Sequence, residues 1–326
     1  MIVTLTANPS IDVTLDVPEF HPDEVNRAVS KCTDPAGKGI NVSRALAKNG
    51  VDTAAIFPAD PVSGRWLELA LNAEGIDTLS SPIAAEIRTN MIIEQANGQT
   101  TTVNEPGPRL TPHEHAALVA TVESVLASKP AWLVMGGSLP LGLDSRLYRE
   151  LAEVAHSLGV RVAIDTSGNA LSDVAHAGVA DLLKPNHEEL EELAGHPLPT
   201  VGDVTTFAHS LLRDSGAAIL VSLGEHGALL VTDHDTLWAG HAPVTVDGTV
   251  GAGDSCLAGY LSAYQQAEVE HLDSDASRRL MVSTAVAWGS ACVRLPGTTV
   301  PGPGDITINL VSVLESPDPT TRVEEL

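Results

Sequence analysis

Short runs of β-branched residues alternate with helical patterns along most of the chain. The opening run IVTLT ends before Asn8-Pro9, which predicts a buried strand followed by a turn. Apolar residues between 40 and 49 recur at helical spacing up to an Asn-Gly stop, and TAAIF follows as a strand. The same order recurs from AWLVMGG through VRVAID, DLLKP and AAILVSL to ALLVT. The pattern predicts one α/β domain with a mostly parallel, helix-covered sheet.

Two segments, about 11–35 and 86–105, interrupt this rhythm with strand-like alternation and no helical period. They would form either a small β-sheet lid that excludes water from the cleft or two separate surface hairpins. The lid lies within a single domain spanning 1–326. After Val300, a Pro-Gly-Pro-Gly stretch predicts a last short helix and a frayed acidic tail, SPDPTTRVEEL.

The amino-acid composition indicates which kinds of binding partner are disfavoured. The 18 basic and 42 acidic residues give a net charge of −24, which disfavours binding to nucleic acid or to anionic membrane surfaces. The sequence has neither a membrane-spanning apolar run nor a signal-peptide pattern, so a cytoplasmic location is expected. The three cysteines lack metal or disulfide spacing and are predicted to be reduced core residues. Phosphorylated ligands would need local compensation from Mg²⁺, backbone amides and a few cations.

The most informative stretch is the glycine-rich segment TVGAGDS, which precedes a helical pattern of small apolar residues. Glycines allow the backbone to approach a phosphate, and amides at a helix start bind its charge, so Gly251, Ala252 and Gly253 predict an anion hole. Asp254 would not bind an anion and is placed to take a proton from an acceptor hydroxyl. The alternative is a glycine-rich turn in which Asp254 is an ordinary N-cap.

A second polar segment follows the predicted strand DLLKP. Asn186 and Glu189 lie on one side of the next helix start and could organise Mg²⁺ through water. The same spacing also fits a capping box, with Asn186 as N-cap and Glu189 at the third helical position, and both interpretations can hold together.

The segment VSLGEHGA leaves a buried strand and turns before the next one. Such a turn suits contact between a nucleotide and the backbone, and a hairpin turn with glycines would have the same sequence.

Candidate acceptor-binding residues lie at another glycine-rich helix start and in the proposed lid. In AGKGIN, Gly37, Lys38 and Asn41 fit a phosphate or sugar hydroxyls, and Arg88 and Asn90 fall in the proposed lid. Taken alone, Arg88 would be interpreted as a solvated surface arginine.

Two further candidates flank the same predicted cleft. Ser138 follows a Gly-Gly turn at the end of a buried strand, where ligands bind in open α/β sheets. Asp12 follows the first strand, although a single aspartate is ordinarily an exposed turn residue.

Together these motifs resemble the ribokinase/PfkB carbohydrate-kinase family, and most closely its bacterial 1-phosphofructokinase branch, beside tagatose-6-phosphate kinase. The matching segments are TLTANPSID, AGKGINVSRAL, GGSLPLG, KPNHEEL, VSLGEHGAL and TVGAGDS, in this order over nearly the whole chain. The resemblance implies that Asp254 is the catalytic base, with the amides of Gly251, Ala252 and Gly253 as the anion hole. It implies metal organisation by Asn186 and Glu189.

The resemblance also implies the binding sites. The nucleotide site is assigned to Lys184, Asn186, Ser222, Gly224, Glu225, Gly227 and Gly253. The sugar-phosphate site is assigned to Asp12, Gly37, Lys38, Asn41, Arg88, Asn90 and Ser138.

A specific activity follows from the resemblance as an expectation: Mg²⁺-dependent transfer from ATP to fructose 1-phosphate, giving fructose 1,6-bisphosphate. Tagatose 6-phosphate and fructose 6-phosphate are alternative acceptors, and a non-catalytic sugar-phosphate sensor is the alternative from another class. A homodimer formed through the β lid is expected on the same basis.

Overall fold

The computed structural model describes residues 1–212 and 216–326, and its framework is two β-sheets. The strands are β1 (Ile2–Thr6), β2 (Ser10–Val17), β3 (Ser30–Ala36), β4 (Thr53–Ala59), β5 (Asp77–Pro82), β6 (Arg88–Gln95), β7 (Thr100–Val103), β8 (Trp132–Gly136), β9 (Arg161–Asp165), β10 (Leu182–Leu183), β11 (Ala218–Ser222), β12 (Ala228–Thr232), β13 (Thr236–His241) and β14 (Val311–Glu315). The helices are α1 (Lys38–Lys48), α2 (Ser63–Ala73), α3 (Pro112–Leu126), α4 (Leu147–Ser157), α5 (Gly168–Ala177), α6 (His187–Ala194), α7 (Val201–Leu211), α8 (Ala252–Glu270) and α9 (Ser274–Cys292).

The larger sheet has ten strands in the order β14-β13-β12-β11-β10-β9-β8-β1-β4-β5. The seven strands from β11 to β5 are parallel to one another, and β12, β13 and β14 are added antiparallel at one edge. Parallel strands end at a common edge, so the loops after β1, β8, β9, β10 and β11 converge there. This edge carries most of the predicted site.

Helices cover both faces of the large sheet. The wholly buried strand β1 shows the reason: Val3 and Leu5 point into one core while Ile2 points into the other. Helices α2 to α7 pack in the first core, and α8, α9 and most of the buried face of α1 pack in the second. The result is a three-layer α/β/α arrangement, which confirms the mostly parallel, helix-covered sheet that the sequence pattern predicts.

The two interrupting segments form one sheet of four strands, in the order β3-β2-β6-β7. Strand β2 pairs parallel to β6, with Asp12 opposite Asn90, and this pairing joins the two segments. The alternative of two separate hairpins is therefore wrong. Polar residues of β2 and β6 share one face of this small sheet, because side chains alternate along each strand.

The C-terminal region differs from the sequence prediction. Val300 is followed by a 3-10 turn at Ile308–Leu310 and by strand β14, which pairs with β13. The segment 317–326 is docked against α7 and is not frayed, because its backbone forms hydrogen bonds with residues 199–202. The predicted last short helix is present only as this single 3-10 turn, and the prediction of a frayed tail is wrong.

Two of the three cysteines lie in the core. Cys256 and Cys292 are buried thiols, whereas Cys32 is exposed on β3, so the prediction of three core cysteines is wrong for Cys32.

None of the helices among the described residues combines the length and apolar character that a membrane crossing requires.

Candidate active site

Asp254 lies in the first turn of α8, and its side chain is only 7% exposed. The helix begins after Gly251, whose φ of 79° is left-handed and suits a residue without Cβ. Gly251 is the N-cap, and no side chain caps this helix, so the alternative of Asp254 as an ordinary N-cap is wrong. Asp254 Oδ2 instead accepts a hydrogen bond of 2.8 Å from Nδ2 of Asn41 on α1.

Backbone amides and one cation meet at the start of α8. The Ala252 amide makes a long bond of 3.4 Å to the Thr249 carbonyl, and within the described ranges no acceptor binds the amides of Gly253 or Asp254. A Cβ at Gly253 would lie 3.3 Å from Lys184 Nζ, so the ammonium group lies against this loop. Free amides, the positive end of a helix dipole and a lysine together favour a phosphate at this position.

Asp165 is the residue at the centre of the site that the sequence analysis did not select. It is 2% exposed, and its two carboxylate oxygens bind different lysines. Oδ1 lies 2.5 Å from Lys38 Nζ, and Oδ2 lies 3.0 Å from Lys184 Nζ. Its position at the C-terminal end of β9 was the available signal, because that end meets the same sheet edge as the other candidates.

The charges of this cluster shift one another's ionisation. Burial, and then the negative charge of Asp165, raise the pKa of Asp254 to about 6. Burial alone would raise the pKa of Asp165, but the Lys184 and Lys38 charges outweigh it and hold that pKa below its usual value. Burial lowers the pKa of Lys38, but the surrounding carboxylates, led by Asp165, outweigh it and raise that pKa above its usual value. Asp254 is therefore the carboxyl group in this cluster that is poised to exchange a proton near neutral pH.

Asn186 and Glu189 form a capping box at the start of α6. Asn186 Oδ1 accepts from the Glu189 amide at 2.7 Å, and Glu189 Oε2 accepts from the Asn186 amide at 2.9 Å. The other Glu189 oxygen, Oε1, lies 3.8 Å from Lys38 Nζ and so faces the cluster. Among the described residues, no three His, Cys, Asp or Glu side chains are grouped to hold a metal ion directly. The residues present suit a hydrated Mg²⁺ held partly by phosphate oxygens.

A second polar cluster lies on the small sheet. Asp12 is 6% exposed, and its Oδ1 accepts from Ser10 Oγ and from Asn90 Nδ2, each at 2.9 Å. Burial raises the pKa of Asp12. Arg88 is adjacent on β6; its Nη1 donates to the Glu105 carbonyl at 3.1 Å, and its buried Nε has no partner among the described residues. Asp12 is thus not an exposed turn residue, and Ser10, which sequence reasoning missed, orients it.

The loop that leads into α1 is fitted closely against the end of β1. Gly37 has a φ of 123°, and a Cβ there would lie 2.6 Å from Thr6 Cγ2. This close approach brings Lys38 and Asn41 to the sheet edge. Ser138, after β8, is exposed and accepts a bond of 3.3 Å from Asn8 Nδ2.

The predicted nucleotide turn is a hairpin turn between β11 and β12, as the alternative interpretation had it. Gly224 has a φ of 62° and open space where a Cβ would stand, so a ligand can approach its backbone. Gly227 is different, because a Cβ there would lie 2.0 Å from the Ala239 carbonyl oxygen. Close packing against β13 therefore explains why a glycine stands at position 227. The Glu225 side chain is 89% exposed, and Ser222 donates its amide to the Pro185 carbonyl beside the Lys184 loop.

The predicted residues therefore fall into three neighbouring groups. One group surrounds Asp254 and consists of Lys38, Asn41, Lys184, Asn186, Glu189 and Asp254, with Asp165 added. A second group lies on the small sheet, and a third is the 224–226 turn. No hydrogen bond among the described residues joins the first group to the second.

The fold and this edge of the sheet define a class: a ribokinase-like α/β kinase, with free backbone amides at a helix start beside a buried carboxylate. The family follows from comparison of the sequence. Residues 3–303 match the model of the pfkB family carbohydrate kinase, and the chain belongs to this family. As a kinase of this family it uses ATP as its phosphoryl donor.

Individual relatives agree with this assignment. The chain is 34% identical over 263 residues to the 1-phosphofructokinase of Rhodobacter capsulatus, covering 80% of this chain and 83% of that protein. It is 33% identical over 299 residues to the ATP-dependent 6-phosphofructokinase isozyme 2 of Escherichia coli K12, covering 91% and 94%. The crystal structure of phosphofructokinase-2 from Escherichia coli in complex with substrates and products superposes with a TM-score of 0.83 at 32% identity, covering 93% and 96%.

Proposed function

We propose that this protein transfers the γ-phosphoryl group of ATP to the C6 hydroxyl of fructose 1-phosphate, with Asp254 as the catalytic base. The observation that carries the proposal is the position of Asp254: its buried carboxylate stands next to the free Gly253 amide and the Lys184 ammonium group. A base and an anion site at adjacent positions are what in-line phosphoryl transfer requires.

The chain's own residues supply the following steps. Asp254 takes the proton of the acceptor hydroxyl as the oxygen attacks the γ-phosphorus, and the bond from that phosphorus to the bridging oxygen of ADP breaks. The Gly253 amide and Lys184 stabilise the negative charge that develops on the transferred group. Asn41 donates to Asp254 Oδ2 and so fixes the direction in which the carboxylate points. Asp165 holds Lys38 and Lys184 in place through its two ion pairs.

Unpaired acceptors support a sugar as the second substrate. The buried Oδ1 atoms of Asn41 and Asn90 accept no hydrogen bond from the described residues. An unsatisfied buried carbonyl group is costly, and the hydroxyl groups of a sugar would satisfy both. We assign Asp12 Oδ2, Gly37 and Ser138 to the same sugar, and Arg88 to its phosphate.

We further propose that Mg²⁺ accompanies ATP, held through water by Glu189 and Asn186. When bound, this ion would neutralise phosphate charge, which the cluster requires because its two lysines face three carboxylates. Turnover measured as a function of Mg²⁺ concentration tests this assignment, and full activity in excess chelator would contradict it.

The acceptor is tested by a coupled ADP-release assay across fructose 1-phosphate, fructose 6-phosphate and tagatose 6-phosphate. The proposal expects the highest kcat/KM for fructose 1-phosphate. The similarity to the Escherichia coli isozyme 2 makes fructose 6-phosphate the main competitor, because it extends over more of the chain than the similarity to the 1-phosphofructokinase. Ligand binding without ADP release from any sugar phosphate would instead indicate a sensor.

Arg88→Ala is expected to raise the KM for the sugar phosphate about 10- to 100-fold, because it removes a charged donor to the phosphate. The KM for ATP should change little. Steady-state kinetics with each substrate varied in turn measures the two constants. Arg279→Ala is the matched control, since Arg279 is half-exposed on α9 and pairs with Glu315. Equal changes in both KM values, or none, would contradict the assignment of Arg88.

The pH dependence of kcat/KM for the sugar phosphate should show an acid limb near pH 6, the raised pKa of Asp254. A base must be ionised to accept a proton, so activity falls about tenfold for each pH unit below that pKa and is retained above it. Initial rates between about pH 5 and 8 in a mixed buffer of constant ionic strength give this profile. An acid limb near pH 4, the ordinary range of an aspartate, would contradict the environment described for Asp254.

We also infer a homodimer through the small sheet, which acts as a lid over the cleft. Its second face is apolar: Leu15, Met91 and Ile93 are partly exposed there, and Val103 is 57% exposed. Such a face favours burial against a second copy of the chain. Sedimentation velocity of the wild type and of Met91→Glu tests the inference, and a monomeric wild type would contradict it. A cytoplasmic location remains a prediction, supported by the use of ATP.

A further inference from the structure

The segment 317–326 is held along the N-terminal end of α7 by backbone hydrogen bonds. The Pro319 carbonyl accepts from the Gly202 amide at 2.9 Å, and the Thr321 carbonyl accepts from the Val201 amide at 2.9 Å. The Val323 amide donates to the Pro199 carbonyl at 3.0 Å.

These bonds complete the cap of α7. The first amides of a helix have no acceptor within it. Thr200 Oγ1 accepts from the Asp203 amide, and the docked segment accepts from the two amides before it. The fit is close, because a Cβ at Gly202 would lie 2.8 Å from the Pro319 carbonyl oxygen.

Side-chain packing extends the contact to the 224–226 turn. Val323 is 6% exposed and belongs to the same core as Leu198, Val201 and Leu223. Leu223 immediately precedes the 3-10 turn Gly224–His226, and this turn lies next to another 3-10 turn, Val323–Glu325, in the docked segment. The docked segment therefore packs against the 224–226 turn.

The 224–226 turn has little other support on its outer side. Gly224 has no atom within 4 Å of where its Cβ would be, and Glu225 extends into solvent. The inner contacts are the Leu223 amide to the Gly227 carbonyl at 2.8 Å and Trp238 Nε1 to the His226 carbonyl at 2.9 Å. A turn that is bonded on one side and packed against a separate segment on the other takes its position from both.

We propose that segment 317–326 is a brace that sets the position of the 224–226 turn and thereby determines the affinity for the nucleotide. The identity of the ligand rests on the function proposed above. The brace touches neither Asp254 nor the sugar-binding cluster, so its loss should weaken nucleotide binding and leave the sugar site unchanged. Residues of the brace are positioning residues and contact no reacting atom.

Three variants test the proposal. One chain ends at Ser316 and lacks the brace. Val323→Ser removes its buried apolar anchor, and Gly202→Ala pushes on Pro319 while leaving the brace in the chain. Val269→Ser and Gly304→Ala are the matched controls, because Val269 is 79% exposed and a Cβ at Gly304 would meet no atom within 4 Å.

The readouts are the KM for Mg·ATP, the KM for the sugar phosphate, and the Kd for Mg·ATP measured by calorimetric titration without sugar. We expect the KM and Kd for Mg·ATP to rise about tenfold in all three variants, with the KM for the sugar phosphate unchanged within about twofold. The controls should match the wild type. If the chain ending at Ser316 does not fold, the two substitutions decide.

An unchanged Kd for Mg·ATP in folded Val323→Ser and Gly202→Ala would overturn the proposal, as would an equal rise in both KM values. The titration also separates this proposal from the proposed function. A wild type that binds Mg·ATP but phosphorylates no sugar phosphate would overturn the function and leave the brace to be judged by Kd alone.

Discussion

The Asp254→Asn variant is expected to fold and to bind Mg·ATP but to turn over about 100- to 10,000-fold more slowly than the wild type. Asparagine keeps the shape of the side chain and accepts the hydrogen bond from Asn41, but it cannot take the proton of the acceptor hydroxyl. The loss should appear in kcat, with the KM for ATP little changed, because the Gly253 amide and Lys184 remain in place. Steady-state kinetics and a thermal melt measure both effects.

The control for this variant is Asp52→Asn. Its side chain is 78% exposed, lies 3.8 Å from the N-terminal amine and directly precedes β4, at the edge of the large sheet opposite the site. It should have wild-type kcat and KM values. An Asp254→Asn enzyme with kcat within about threefold of the wild type would show that another group accepts the proton.

The second large effect is expected for Asp165→Asn, which should lower the free energy of unfolding by about 3 kcal/mol or more. Asp165 is 2% exposed and pairs with Lys38 and with the almost fully buried Lys184. Removing its charge leaves Lys184 without its partner in a region of low dielectric. Urea unfolding monitored by circular dichroism gives the free energy.

Asp165→Asn also has a kinetic consequence that a purely structural residue would lack. The negative charge of Asp165 contributes to the raised pKa of Asp254, so its removal should move the acid limb of kcat/KM to lower pH. Asp144→Asn is the control, because Asp144 and Arg146 pair at the surface with half of each side chain exposed. Unchanged stability and an unchanged acid limb in Asp165→Asn would contradict the role given to this residue.

Most of the large sheet could be predicted from the sequence because its strands are short, apolar and separated by clear helical patterns. Position along such a sheet is also predictable: residues after parallel strands meet at one edge. This is why Lys184, after β10, and Ser138, after β8, could be selected before their contacts were known. Asp254, Lys38 and Asn41 were selected instead from glycine-rich segments at predicted helix starts. The glycine-rich start of α8 carried the same kind of information, since free amides at a helix start are a local property.

The other parts of the site could not be predicted because they depend on contacts between residues far apart in the sequence. VRVAID places Asp165 at the end of a strand but does not show its ion pair, because its partner Lys38 is 127 residues away and the pair exists only after folding. Ser10 was missed for a related reason: its hydroxyl is informative only once β6 brings Asn90 beside it. The tail was mispredicted because its acidic and proline-rich composition is typical of disorder, while its order comes from the α7 amides.

The net charge of the protein disfavours anionic substrates, whereas the charges near Asp254 differ from this average. A net charge of −24 would repel ATP and a sugar phosphate at long range. In the function proposed above, the free amides of the α8 start and Mg²⁺ offset this repulsion locally, because the charges of Lys38 and Lys184 are already balanced by the surrounding carboxylates. Ionic strength should therefore affect the association rate of the substrates more than the chemical step.

The most direct test of the central claim isolates the chemical step. Wild type and Asp254→Asn are mixed with limiting Mg·ATP and saturating fructose 1-phosphate, quenched on the millisecond scale, and assayed for ADP and fructose 1,6-bisphosphate. The claim predicts a single-turnover rate constant at least about 100-fold lower in the variant, with the same amount of ATP bound before sugar is added. Equal rate constants at equal ATP occupancy would contradict Asp254 as the base.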